Sequence, residues 1–143
     1  MTLISASTDV DTTADRVWNV ISDTDRDPEY WHGTKSVKNI KKDGNVIERE
    51  TVIAFKESKC REIVKLYDKD KITTEIVDGP IIGKKTITLE KIGENKSRID
   101  VTWDFHMKGY MGLFSFFVKK HILKGTQEAL ARIADKATGK QNN

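Results

Sequence analysis

The sequence predicts an α+β fold, an antiparallel sheet followed by one long C-terminal helix. Three observations lead there. From Val37 to Met107 apolar and polar residues alternate at period two, interrupted only by short turn signals. Connections that short suit an antiparallel meander rather than parallel strands with crossover helices. From Leu113 to Ala137 the period changes to that of a helix, with no proline and with Gly125 as the one mid-segment break.

Taken in order, Leu3–Val10 alternates loosely and is rich in β-branched residues, which suits a first strand. Asp11, Thr12 and Thr13 offer a cap for a helix over Ala14–Ser22, where Val17, Trp18, Val20 and Ile21 make one apolar stripe. Trp18 is expected to pack rather than to bind. A second short helix or turn covers Asp25–Trp31, with Pro28 early, where a helix tolerates it. Six strands follow: Ser36–Lys41, Val46–Lys56, Lys59–Tyr67, Ile72–Val77, Lys85–Lys91 and Arg98–Met107. Between them stand Lys42-Asp43-Gly44-Asn45, Asp68-Lys69-Asp70, Asp78-Gly79-Pro80 and Gly93-Glu94-Asn95. In the last helix Phe116, Phe117, Leu123, Leu130, Ile133 and Ala134 recur at helical spacing. Gly125 there permits a close approach to another element, or a bend.

Alternation also sorts the faces. On the last strand Ile99, Val101, Trp103, Phe105 and Met107 share one side, and Arg98, Asp100, Thr102, Asp104 and His106 the other. The apolar set points inward. Ile47, Thr51, Ile53 and Phe55 share a side with Arg49; Ile72, Thr74, Ile76, Ile87 and Leu89 are likewise inward. Lys59–Tyr67 is ambiguous. Counting charges turns Cys60, Glu62, Val64 and Leu66 inward, although a bulge would reverse part of that.

Composition excludes several classes of function. A net charge of +3 over 143 residues is too small to suggest nucleic acid. It is unevenly spread, with seven acids against Arg16 and Arg26 in residues 1–30 and the basic excess elsewhere. Lys38, Lys41 and Lys42 lack interleaved aromatics and read as a solvated strand edge. Cys60 is the sole cysteine, which rules out an intrachain disulfide and fits a cytoplasmic location, as does the lack of any apolar run of membrane-spanning length. His32, Cys60, His106 and His121 show no metal-motif spacing, and there is no nucleophile elbow, phosphate loop or dinucleotide fingerprint. No cofactor is expected. A single poised acid or base needs no motif, so Glu62 and His121 stay as candidates for proton transfer.

The order of elements resembles the START-like, or SRPBCC, superfamily, which includes birch-pollen-allergen proteins, polyketide cyclases and coenzyme Q-binding proteins. The resemblance runs over residues 2–137. It rests on Ile4–Val10 leading into Asp15-Arg16-Val17-Trp18-Asn19-Val20-Ile21-Ser22-Asp23, on Tyr30-Trp31 before Lys35-Ser36-Val37, and on Arg98-Ile99-Asp100-Val101-Thr102-Trp103 before the last helix. It implies a helix-grip fold, a seven-stranded sheet curled around the C-terminal helix with two short N-terminal helices, forming one ligand-binding domain over residues 1–138 and a polar tail over 139–143. It also implies an apolar cavity. Members bind lipids, hormones, polyketides or quinones, and some catalyse cyclisation or dehydration.

Such a cavity would be lined by the inward residues Ile53, Phe55, Ile76, Ile87, Leu89, Val101, Trp103, Phe105 and Met107, by Trp31, and by Phe114, Phe117 and His121 of the helix. Arg49 and Glu62 would be its polar groups. The expected ligand is a lipid, quinone or polycyclic aromatic, bound without turnover; a polyketide cyclase or dehydratase is the alternative. Gly109–Phe117, glycine-rich and aromatic ahead of Lys119 and Lys120, is expected to close the mouth or to touch an anionic membrane transiently.

Overall fold

The computed structural model describes residues 2–109 and 115–140. Seven strands form one antiparallel sheet: β1 (Thr2–Val10), β2 (Thr34–Asp43), β3 (Val46–Ile53), β4 (Lys59–Tyr67), β5 (Lys71–Asp78), β6 (Ile81–Gly93) and β7 (Lys96–Met107). Their spatial order is β1-β7-β6-β5-β4-β3-β2. All neighbours but one are sequential hairpins; the exception is β1, which pairs with β7 from Thr2↔Phe105 to Val10↔Ser97. The helices are α1 (Ala14–Ile21), α2 (Asp27–Tyr30) and α3 (Ser115–Thr138). The fold is the helix-grip α+β fold, with α3 packed across β1 and held also by α1, α2 and β7.

Local chemistry accounts for the short helices. Thr13 caps α1, its side chain accepting from the Arg16 backbone N–H at 3.3 Å. Val17, Trp18 and Ile21 are the buried stripe of α1. A 3-10 turn at Thr24–Arg26 leads into α2, where Pro28 stands in the first turn. The outer edge β2 is almost wholly solvated and carries Lys35, Lys38, Lys41 and Lys42, which discourage pairing with another chain.

Two strand ends differ from the sequence expectation by three residues or more, the others by two at most. β3 stops at Ile53 and does not run on to Lys56; Phe55–Glu57 form a turn in which Lys56 (φ 53°) and Glu57 (φ 49°) are left-handed. β6 begins at Ile81, four residues before Lys85. Gly83 hides that start by interrupting the alternation. A Cβ there would stand 2.2 Å from the Asp104 carbonyl oxygen and 2.5 Å from the Phe105 Cα, so only glycine fits against β7.

The inner face of the sheet divides in two along α3. Toward the C-terminal half of α3, Ala129, Leu130, Ile133 and Ala137 join Val17, Trp18, Ile21, Val64, Ile87, Leu89, Ile99 and Val101 in a close-packed core. Each valine, leucine or isoleucine among them contributes roughly 1.5–3 kcal/mol when fully buried. Toward the N-terminal half a smaller cluster holds Ile4, Cys60, Ile76, Ile81, Phe105 and Val118. Trp103 packs against both.

Candidate functional site

Between the first half of α3 and the inner face of β3–β7 lies a cavity of about 720 Å³, within the usual range of small-molecule sites, roughly 300–1,000 Å³. Its apolar walls come from Ile53, Ile76 and Ile81 of the sheet and Val118 and Ile122 of α3, with Phe55 and Phe117 also in the lining. Gly125 faces this space. A Cβ on it would meet nothing within 4 Å, so this glycine serves neither close packing nor contact and leaves the cavity wider.

Two tryptophans form one wall. Trp31 ends α2, donating its backbone N–H to the Asp27 carbonyl at 2.8 Å and accepting from Thr34 N–H at 2.9 Å, so its backbone is fixed on both sides. Its ring meets Trp103 edge-on at 6.3 Å, and Trp103 meets Phe105 in the same way at 6.5 Å. The Trp103 indole N–H donates to the Thr126 hydroxyl at 3.0 Å, and that hydroxyl donates to the Ile122 carbonyl at 2.7 Å.

The polar groups are arranged around Arg49. Arg49 and Glu62 are register partners on β3 and β4, and Arg49 Nε donates to Glu62 Oε1 at 3.0 Å. Arg49 Nη2 lies 2.8 Å from Asp27 Oδ2, and Nη1 donates to the Thr24 carbonyl at 3.0 Å. One guanidinium thus ties the helical segment to the sheet. Burial draws its proton off, but the Asp27 and Glu62 carboxylates outweigh that and hold it charged. Arg49 is 2 % exposed and Glu62 7 %. Both reach the cavity edge, where Arg49 engages Glu62 through Oε1.

Lys85 differs. It is buried on the inner face of β6, with Nζ 3.8 Å from the centroid of the Trp31 ring and 5.4 Å from that of Trp103. Burial lowers its pKa, against the pull of Asp27 and Glu62. Burial also pushes the Cys60 thiol up to about 11, so at neutral pH it is a neutral side chain in the cavity wall.

Trp31, Arg49, Ile53, Phe55, Glu62, Ile76, Trp103, Phe117 and His121 all line this space, His121 and Phe117 from the exposed side of α3. Ile87, Leu89 and Val101 do not. They lie on the same face but farther along it, under α1 and the second half of α3. Phe105 is fully buried in the smaller cluster, and Met107 packs half-buried against it; neither is in the cavity wall. Phe114 lies outside the described residues, as do residues 110–114 of the expected mouth. The sequence expectation omits Lys85, Ile81 and Thr126. Lys85 shares the parity of Ile87 and Leu89, a lysine where the strand pattern requires an inward side chain, and that was the available signal. Among the described residues no group of His, Cys, Asp and Glu side chains could hold a metal ion, and no helix is long and apolar enough to cross a membrane.

Residues 1–138 match the family model described as polyketide cyclase / dehydrase and lipid transport. No curated protein matches the chain in sequence. Among solved structures, the Zhui aromatase/cyclase from a Streptomyces species superposes with a TM-score of 0.84 at 12% identity, over 96% of this chain and 93% of that one. A protein from Thermus thermophilus gives 0.81 at 16% identity, covering 96% and 98%. A START superfamily protein from Mycobacterium smegmatis gives 0.68 at 12%, covering 92% and 98%. At these identities the likeness is one of fold.

Proposed function

The chain belongs to the polyketide cyclase / dehydrase and lipid transport family of the START-like superfamily, and on that premise we propose that it binds and carries a small hydrophobic molecule in its cavity without changing it chemically. The observation that carries this reading is the 720 Å³ space with isoleucine, valine and tryptophan walls, at whose edge Arg49 holds Glu62 Oε1 and Asp27 Oδ2. An arginine that grips two carboxylates from different segments braces the fold, and the space beside it is walled mainly by apolar side chains. The expected ligands are a lipid, a quinone or a polycyclic aromatic, matched to the walls by shape and burial. The lone cysteine, Cys60, suits a reducing compartment, and we place this carriage in the cytoplasm on that ground.

Native mass spectrometry of protein purified without detergent tests it. An apolar molecule that co-purifies, or stoichiometric uptake of an added polycyclic aromatic returned unaltered on extraction, supports a carrier. Failure to take up any apolar probe overturns it.

One observation favours a second reading, a ring-closing or dehydrating enzyme: the Lys85 amine and the His121 imidazole both line the cavity. Incubation with a linear poly-β-ketone thioester separates the two. Ring formation faster than in buffer, abolished by His121→Ala or Lys85→Met, would replace carriage with catalysis.

A further inference from the structure

Lys85 is the unusual member of the cavity wall. Its register partners are Thr74 on β5 and Trp103 on β7, and the Trp31 ring covers its ammonium at 3.8 Å. Asp27 and Glu62 are close enough to act on it through space. Both, however, are turned to Arg49 at 2.8 and 2.9 Å, and no carboxylate of the described residues lies within ion-pair distance of Lys85. Indole faces favour a cation but accept no conventional hydrogen bond, and among the described residues no side chain is hydrogen-bonded to Nζ. Taking an ammonium out of water without a partner is costly. A methionine would fill the same inward position on β6 without that penalty.

The folded protein therefore bears the desolvation of this charge before any ligand arrives. A ligand that brings an oxygen anion to Nζ gains a charge-assisted hydrogen bond from an amine that the tryptophan rings already hold in place, which is the advantage of preorganisation. We propose that Lys85 is the polar anchor of the cavity and that the bound molecule is an amphipathic acid, an apolar body carrying one carboxylate or one similarly acidic hydroxyl. Asp27, Glu62 and Arg49 together carry one negative charge. Lys85 thus brings the site to neutrality and leaves the anion's nearest neighbour positive. The inference rests on the reading of the cavity as a ligand site and names the class of ligand.

Matched fluorescent probes test it at pH 7: anthracene-9-carboxylate and the neutral 9-anthracenemethanol, titrated by ligand and tryptophan fluorescence. The wild-type protein should prefer the carboxylate by roughly tenfold to a hundredfold, the size of a charge-assisted hydrogen bond. Lys85→Met, with folding checked by circular dichroism, should bring the two affinities together. Equal affinities or a preference for the alcohol in the wild-type protein would overturn the anchor, and that arm needs no variant. So would a preference that survives Lys85→Met. Failure of both probes to bind would instead remove the ligand-site reading, and this inference with it.

Discussion

Trp103 and Thr126 are joined by a 3.0 Å hydrogen bond from the indole N–H to the threonine hydroxyl, which fastens β7 to α3 beside the cavity. The two partners are not equivalent. Thr126 also donates to the Ile122 carbonyl, so it keeps one bond if the indole is lost. Among the described residues the indole N–H has only this acceptor. Thr126→Val should therefore destabilise by about 1–3 kcal/mol, the penalty for an orphaned buried donor. Trp103→Ala should cost about 3–5 kcal/mol through lost packing. Urea titration monitored by far-ultraviolet circular dichroism measures both.

Arg49 holds Glu62 and Asp27 in a buried cluster. Removing the cation alone leaves two largely buried carboxylates without their shared partner. Arg49→Met should cost about 3–5 kcal/mol. Adding Glu62→Gln to that variant should cost much less than the sum of the single changes, since the coupling disappears with its partner. A double-mutant cycle from denaturant titrations checks the non-additivity.

Lys85 sets a pH dependence whose sign is opposite to that of a stabilising salt bridge. Burial lowers its folded pKa below the ordinary 10.5. Between those two values the unfolded chain keeps the proton that the folded chain has released, so stability rises with pH through that window. Lys85→Met should be more stable than the wild type near neutrality, by on the order of 1 kcal/mol or more. Its advantage should narrow as pH approaches 10.5. Thermal melts of the two proteins, compared as a difference at each pH, remove the opposing contribution of Cys60, whose raised pKa lies nearby.

Gly125 is a mid-helix glycine with open space where its side chain would be. Gly125→Ala should raise stability by about 1 kcal/mol, the difference in helix propensity. Gly125→Leu should fill part of the cavity and weaken binding of anthracene-sized probes while the fold is retained. Calorimetric melting and probe titration read the two effects separately.

Much of the architecture was legible because period-two alternation reports which face a side chain occupies. β4 runs over Lys59–Tyr67 as expected, and Cys60, Glu62 and Val64 are buried on its inner side, despite a register shift at Arg61/Glu62. Alternation does not report position along the face. Ile87, Leu89 and Val101 have the right parity, but α1 covers their end of the sheet. Whether an inward residue meets core or cavity is decided by the diagonal course of α3, a tertiary fact absent from the strand's own sequence. Glycine was the other blind spot. At Gly83 and Gly125 the missing side chain is itself the structural device, one for contact with β7 and one for empty space.

The pairing of β1 with β7 makes this sheet slow to complete. Thr2↔Phe105 and Val10↔Ser97 join segments at opposite ends of the meander. On the ribosome β2 through β6 can zip sequentially as each hairpin emerges, while β1 waits unpaired for the last strand. Pairings that distant raise the contact order and lengthen the search before the barrier is crossed. Until α3 also emerges, the inner face of the meander is uncovered, and its isoleucines and valines are open to other nascent chains. The helix that shapes the cavity is thus also the step that ends the protein's exposure to aggregation during synthesis.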